Sequence, residues 1–209
     1  MRILVADDHP VVRLGVVHIL TKALKGVAVE EASSARQLLQ QLKKSHWDLL
    51  LLDLTLPGRN GLDALKEIRN QFPRLPVLVL SIHSENEFGV RALRAGASGY
   101  LTKETLPEQL LQAVKKVLTG GIYVSEALAE KLATGLRRDM DILPHETLTD
   151  REYEVMRLIA SGVSTGDIAK KLLLSAKTIS TFRAHILQKM GLKNNAEIVR
   201  YGIRNNLVD

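Results

Sequence analysis

DLLLLDLTLPGRNG, Asp48 to Gly61, is the stretch on which the fold turns. Its consecutive leucines, Leu49 to Leu52, run into a carboxylate at Asp53. An apolar run with no polar face reads as a strand covered on both sides, the habit of parallel sheets sandwiched by helices. Pro57 and Gly58 then end the strand, because proline has no N–H to donate to a ladder. Asp53 thereby reaches the carboxyl end of a central strand, where open α/β sheets place their ligands. A carboxylate so placed is a candidate nucleophile; taken alone, it reads equally as a turn or helix-capping aspartate.

Outward from that stretch, strand and helix patterns alternate through residues 1–120. Strand-like runs at Arg2–Ala6, Val27–Glu31, Val77–Ser81 and Ser98–Thr102 accompany the central one at Leu49–Asp53. Between them, apolar residues recur at helical spacing: Val12, Val16, Ile19 and Leu20; Leu38, Leu39 and Leu42; Leu62, Leu65 and Ile68; Val90 and Leu93; and Leu106, Leu110, Val114 and Val117. Strict alternation predicts a parallel sheet with right-handed crossovers. Five strands are too few for an eightfold barrel, so the expectation is a doubly wound sheet.

The polar residues at the carboxyl ends of these strands are Asp7, Asp8, Asp53, Ser81 and Lys103. In such a fold these ends meet at one crevice. Three carboxylates packed together repel unless a cation resolves the conflict. Oxygen ligands suit Mg²⁺, which keeps several waters and bridges carboxylate to phosphate. With the Lys103 ammonium and the Ser81 hydroxyl, the set suits a dianionic phosphoryl group, Asp53 acting as nucleophile. Singly, Asp7 or Asp8 reads as a cap for the helix that Pro10 opens, and Ser81 and Lys103 as surface residues. The combination is what carries the argument. Glycine-rich dinucleotide and P-loop motifs are absent.

The 209-residue chain suits one large domain or two small ones. It has no cysteine, which excludes disulfides, zinc–thiolate sites and thiol catalysis. No apolar run is long enough to span a membrane, and MRILVADD lacks the regions of a signal peptide, so a cytoplasmic protein with no membrane partner is expected. Net charge is +6, but its distribution is more telling. Lys170 to Arg204 holds eight basic residues and a single acid, Glu197.

Residues 121–146 read as a linker. Gly120 and Gly121 end the preceding helix; Ser125 to Arg137 is a short helical pattern with Leu128, Leu132 and Leu136 at four-residue steps. Arg137 to Glu146, containing Pro144, reads as a tether. Which domain the short helix packs on is left open.

Residues 147–209 carry helix-start signals in series: Thr149-Asp-Arg-Glu152, Ser164-Thr-Gly-Asp167 and Ser175. Helices are expected at about Asp150–Ser161, Thr165–Leu173, Ala176–Met190 and Asn195–Asn205. Short helices joined by tight turns, with a basic bias, predict a helix-turn-helix over residues 165–190. In the third helix Ile179, Phe182, Ile186, Leu187 and Met190 define a buried face. The opposite face presents Lys177, Thr181, Ala184 and Gln188, flanked by Ser180 and His185, as the surface for a major groove. A helical bundle with a solvated basic face is the plainer alternative.

The set VADD, LLLLDLTLPGRNG, VLVLS and GYLTK resembles the flavodoxin-like receiver domain of two-component response regulators, over residues 1–120. LTDREYEVMRLIASGVSTGDIAKKLLLSAKTISTFRAHILQKMGL resembles the LuxR-type output domain of the NarL/FixJ regulators. The resemblance implies a transcriptional regulator that a partner histidine kinase phosphorylates on Asp53. It implies Mg²⁺ held by Asp8, Asp53 and the Thr55 carbonyl, with Asp7 acting through water. Lys103 would pair with the phosphoryl group, Ser81 would bond it, and Tyr100 would swing inward. Phosphorylation would favour homodimers on paired promoter half-sites, with RNA polymerase a candidate contact. The receiver would catalyse only its own phosphorylation and dephosphorylation.

Departures bear on base reading. Where T-V-K-x-H is common, this chain has Thr178-Ile-Ser180-Thr181-Phe182, Tyr153 replaces a usual arginine or glutamine, and Glu104 replaces a frequent proline. Thr181 and Ala184 suit thymine methyls, and long bidentate donors are scarce. Lys170, Lys171, Lys177, Lys189 and Lys193 suit phosphate contacts, and Arg183 is expected to pack its stem and extend its head to a phosphate. Two rivals remain. An aspartyl phosphatase would carry a second aspartate at the Thr55 position; a phosphorylation-independent module would not need Asp8, Asp53 and Lys103 together.

Overall fold

The computed structural model describes residues 1–56, 61–82, 85–137 and 143–208. Pro57 and Gly58, and the 138–142 part of the expected tether, lie outside them. The chain forms two compact units, Met1–Ala133 and Thr134–Asp209.

The first unit alternates β1 (Arg2–Ala6), α1 (Pro10–Ala23), β2 (Ala28–Ala32), α2 (Ala35–Lys44), β3 (Leu49–Asp53), α3 (Gly61–Gln71), β4 (Val77–Ser81), α4 (Glu85–Arg94), β5 (Gly99–Thr102) and α5 (Leu106–Leu118). The strands form one sheet in the order β2-β1-β3-β4-β5, all pairs parallel. Every residue of β3 is buried, as its unbroken apolar run requires. One face of the sheet packs Ile3, Val5, Leu49, Leu51, Leu78, Leu80 and Leu101 against Val16 and Leu20 of α1 and Leu110, Val114 and Val117 of α5. Because side chains alternate along a strand, Leu4, Leu50, Leu52, Val79 and Tyr100 turn to the other face, where α2, α3 and α4 contact the sheet.

Strand order reverses between β1 and β3, which opens a crevice at their carboxyl ends. Gly61 lets α3 begin close beside that crevice. A Cβ there would lie 2.3 Å from the backbone of Leu54, so no side chain fits.

Two strands differ from the sequence reading, β2 by one residue at both ends and β5 by one residue at its start. Val27 donates its N–H back to Leu24, so the β2 ladder starts with Ala28 donating to the Met1 carbonyl. At β5, Gly99 meets the linker: an added Cβ would stand 2.7 Å from the Tyr123 carbonyl. Tyr123 bridges to Gly99 in parallel, donates to the Ser98 carbonyl and accepts from the Tyr100 N–H.

The linker helix, α6 (Glu126–Arg137), starts at Ser125, whose hydroxyl accepts from the Leu128 N–H and donates to the Glu85 carboxylate. Leu128 is fully buried, its methyls against Gly89 of α4. The question left open by sequence is thus answered for this end of the helix: it packs on the first unit.

In the second unit a 3₁₀ turn, Pro144–Thr147, precedes α7 (Asp150–Ala160), α8 (Thr165–Lys171), α9 (Ala176–Met190) and α10 (Asn195–Arg204). The 3₁₀ turn is docked rather than free chain, since His145 Nδ1 lies 2.8 Å from Tyr201 Oη on α10. Burial raises the Tyr201 phenol above its ordinary range; the bond to His145 opposes that and Glu146 adds to it. Caps come where the sequence placed them: Thr149, Ser164 and Ser175 accept from Glu152, Asp167 and Thr178 N–H groups, and Gly191 ends α9 at φ 67°. The α8 helix stops at Lys171, short of the expected Leu173, which adopts φ 55° in the turn to α9. Gly202 of α10 touches Ala160 of α7, the separation leaving no room for a methyl.

Gly61→Ala is expected to destabilise the first unit by about 1–3 kcal/mol through overpacking against main chain that cannot yield. Chemical denaturation of the full-length protein measures it, and an unchanged midpoint would refute the contact.

Candidate functional site

Parallel pairing in register brings the ends of β1, β3, β4 and β5 to one edge, and the polar residues there converge. Asp53 is fully buried. Its Oδ1 accepts from the Thr55 N–H at 3.0 Å, and its Oδ2 accepts from the Thr55 hydroxyl and from Lys103 Nζ, each at 2.7 Å. Lys103 also stands 2.8 Å from Asp7 Oδ2, and its side chain is 8% exposed. The Lys103 N–H bonds the Ser81 carbonyl at 2.7 Å, which anchors the start of the β5–α5 loop to β4.

Asp7 is fully buried and does two jobs. Its Oδ1 accepts from the His9 N–H at 2.8 Å, which is a local turn and not a cap of α1, whose N-cap residue His9 makes no side-chain cap bond, while its Oδ2 faces Lys103. Asp8 is partly exposed. Neither Asp7 Oδ2 nor Asp8 Oδ1 receives a well-directed hydrogen bond, although each has a cationic or ring nitrogen at 2.8 Å. Buried acceptors without donors are the arrangement a cation would satisfy, and Asp7, Asp8 and Asp53 supply oxygens that suit a hard divalent ion. One ligand atom from each of Asp7, Asp8, His9 and Asp53 fits within a 4.8 Å cluster.

Ser81 and Tyr100 are both fully buried. The inward swing implied for Tyr100 therefore has no starting point here, because the ring is already inside. Two participants escaped the sequence reading. One is His9, which looked like a residue between the carboxylates and Pro10. The other is the Thr55 hydroxyl, since only the Thr55 carbonyl had been considered.

In the second unit Lys177, Ser180, Thr181, Ala184 and Gln188 share the exposed face of α9, while Ile179, Ile186 and Met190 are buried and Phe182 and Leu187 half-buried. Ser180 and Thr181 hydroxyls donate to the carbonyls of Ala176 and Lys177 at 3.0 and 3.1 Å. Lys170 and Lys171 are exposed, Lys170 loosely paired with Asp167 at 3.4 Å.

Two expectations need correction, those for Lys189 and Arg183, while His185 stays exposed on the flank of α9. Lys189 is drawn to Glu152 of α7 at 2.6 Å, and His185 stands 3.7 Å from the same carboxylate, so both face α7. Arg183 donates through Nε to Asn195 Oδ1 at 2.5 Å, which ties α9 to α10. Arg151, unremarked in the sequence, donates to the Leu172 carbonyl at 3.0 Å and pairs with Glu154, bracing the helix-turn-helix corner.

Matches to family models follow these two sites. Residues 3–115 match the response regulator receiver domain, and residues 146–202 match the bacterial regulatory proteins of the luxR family. The chain belongs to the LuxR-type response regulators. This response regulator is 37% identical to the transcriptional activator protein ExaE of Pseudomonas putida, covering 100% of this chain and 98% of that one. It is 35% identical to the oxygen regulatory protein NreC of Staphylococcus carnosus, with both chains covered in full. Among solved structures, RcsB of Salmonella enterica serovar Typhimurium, bound to promoter rprA in the presence of phosphomimetic BeF₃⁻, matches at TM-score 0.66 and 30% identity, over 96% of this chain and 98% of that one. Another describes two RcsB dimers bound to two parallel DNAs, at TM-score 0.60 and 29% identity, over 96% of this chain and 97% of that one. This response regulator thus joins a receiver to a LuxR-type DNA-binding domain, and its family comprises transcription regulators rather than metabolic enzymes. Among the described residues no helix is long and apolar enough to cross a membrane.

Glu152 gives the second unit a pH dependence. Burial pushes its carboxyl up, but hydrogen bonds from Lys189 and Thr149 and the Lys189 charge outweigh this and hold it below the ordinary 4.5. A lowered folded value means the stabilisation is complete above the ordinary value and fades as pH falls through the folded one. Glu152→Gln should cost about 1–3 kcal/mol at neutral pH, with the difference from wild type closing as pH falls below the ordinary carboxylate range, as followed by urea unfolding across pH. A gap constant with pH would contradict the assignment.

Proposed function

We propose that this response regulator is switched by phosphorylation of Asp53 and then governs transcription through α9. The observation that carries the reading is the buried Asp53 carboxylate, 2.7 Å from Lys103 and beside Asp7 and Asp8 at the strand-order reversal. Asp8, Asp53 and the Thr55 carbonyl would hold Mg²⁺, with Asp7 acting through water. Bound there, the ion supplies charge neutralisation for the incoming phosphoryl oxygens.

The chain's own residues do the rest. An Asp53 oxygen forms an O–P bond as the N–P bond of a kinase phosphohistidine breaks, and the leaving imidazole takes up a proton. Lys103 transfers its pairing from the carboxylate to the phosphoryl oxygens, and its anchored loop keeps the ammonium in place. The Ser81 hydroxyl bonds the phosphoryl group, and Tyr100, packed beside it in the interior, reports the change through β5. Tyr100 shares a backbone hydrogen bond with Tyr123, which leads directly into α6. A sensor histidine kinase is the donor, and a homodimer on paired half-sites of promoter DNA is the active form in the cytoplasm. RcsB dimers on DNA supply the precedent.

Acetyl phosphate should label the wild type with a hydroxylamine-sensitive acyl phosphate, and Asp53→Asn should not be labelled. Persistent label on that variant would defeat the assignment. At the other end of the chain, Lys177→Ala with Thr181→Ala should weaken binding of a promoter fragment by about 2–4 kcal/mol and reduce the salt slope by about one. A gel shift unchanged across a salt series would remove α9 from the groove.

A further inference from the structure

The linker meets the first unit in two halves, and different elements hold each half. Tyr123 belongs with β5 and α5. Its N–H donates to the Ser98 carbonyl at 2.9 Å and its carbonyl accepts from the Tyr100 N–H at 3.1 Å. Its hydroxyl donates to Gln109 Oε1 at 3.2 Å, and Lys116 Nζ lies 5.9 Å from its ring centre. Ser125 and Leu128 belong instead with α4. The Ser125 hydroxyl donates to the Glu85 carboxylate and, as acceptor, caps α6 at the Leu128 N–H, 3.1 Å away. Leu128 is fully buried, and a Cβ at Gly89 would lie 2.8 and 3.0 Å from its methyls. Glycine is disfavoured inside a helix, so its place midway along α4 is explained by the seat it leaves for Leu128.

Glu85 is the first residue of α4 and follows Ser81, the last of β4, by four positions. The polar catch for the linker is therefore carried by the helix that begins just beyond the hydroxyl assigned to the phosphoryl group. Glu85 also acts on the other half: burial raises the Tyr123 phenol above its ordinary range, and the nearby Glu85 charge raises it further. We propose that Glu85 is the catch of a latch. It holds the start of α6 on α4 in the unphosphorylated protein. When Ser81 is drawn to a phosphoryl group on Asp53, the start of α4 moves with it and lets Ser125 and Leu128 go. Tyr123 stays in the sheet, so α6 swings from the residue after it while the receiver keeps its fold. The proposal rests on the phosphorylation reading of Asp53. Release breaks one charge-assisted hydrogen bond and unseats one leucine, a cost within reach of the charge-assisted bonds that a phosphoryl group gains at Lys103 and Ser81.

The test follows backbone amide hydrogen exchange in the full-length protein, before and after labelling with acetyl phosphate and Mg²⁺. Once the wild type is labelled, the first amides of α6, from Leu128 onward, should exchange roughly tenfold faster, while the Tyr100 N–H, bonded to Tyr123, keeps its protection. Glu85→Ala removes the catch without touching the α6 cap, and should show the faster exchange before labelling, with little added by it. Ser125→Asp keeps a capping oxygen but sets a second carboxylate against Glu85, and should behave alike. That second variant guards against mistaking a frayed α4 for an open latch. Wild-type protection of α6 in either variant, or a labelled wild type whose α6 stays closed, would overturn the proposal and leave the Asp53 assignment standing. A wild type that takes no label on Asp53 would defeat both.

Discussion

The pairing of Lys103 with the buried carboxylates of Asp7 and Asp53 is the constraint on which the first unit depends. Three carboxylates gathered at one sheet edge, two of them without solvent, would push the strands apart. One ammonium reaching both buried acids, at 2.8 and 2.7 Å, holds them in place. The pocket is left with more negative charge than its own cation neutralises, so it remains receptive to a further positive ion. It also holds the lysine where an added phosphoryl group would need it.

That electrostatic imbalance connects to the rest of the chain through backbone rather than through a long side-chain relay. The Lys103 N–H is tied to the end of β4, and Tyr100, two residues along β4's neighbour, is tied to Tyr123. Tyr123 leads to Ser125 and Leu128, which seat the linker helix on α4. These contacts join the end of β5 to the start of the linker helix. The second unit repeats the logic on a smaller scale. Glu152, nearly buried, gathers Thr149, Lys189 and His185, and so ties α9 to α7.

Outward on α9 stand Lys177, Ser180, Thr181, Ala184 and Gln188. Arg183 closes the α9–α10 corner instead of reaching out. Lys170 and Lys171 of α8 are exposed as well.

Sheet, helices, caps and the convergence of Asp7, Asp53 and Lys103 were legible in the chain because each follows from local periodicity or from strand order. A short apolar run without a polar face, stopped by Pro57 and Gly58, reads as a buried strand, and parallel strands send their carboxyl ends to one edge. Other features depended on contacts between residues far apart in sequence. Glu152 claims Lys189 across 37 positions, and Lys103 meets His9 across 94. No spacing rule encodes such meetings. Helical phase says which face a lysine occupies, but the nearest carboxylate decides where its ammonium rests. Likewise the interior position of Tyr100 and the seating of Leu128 on α4 were settled by the space left between packed elements. Sequence determined which groups arrive at each site; tertiary packing decided which of them are already spoken for.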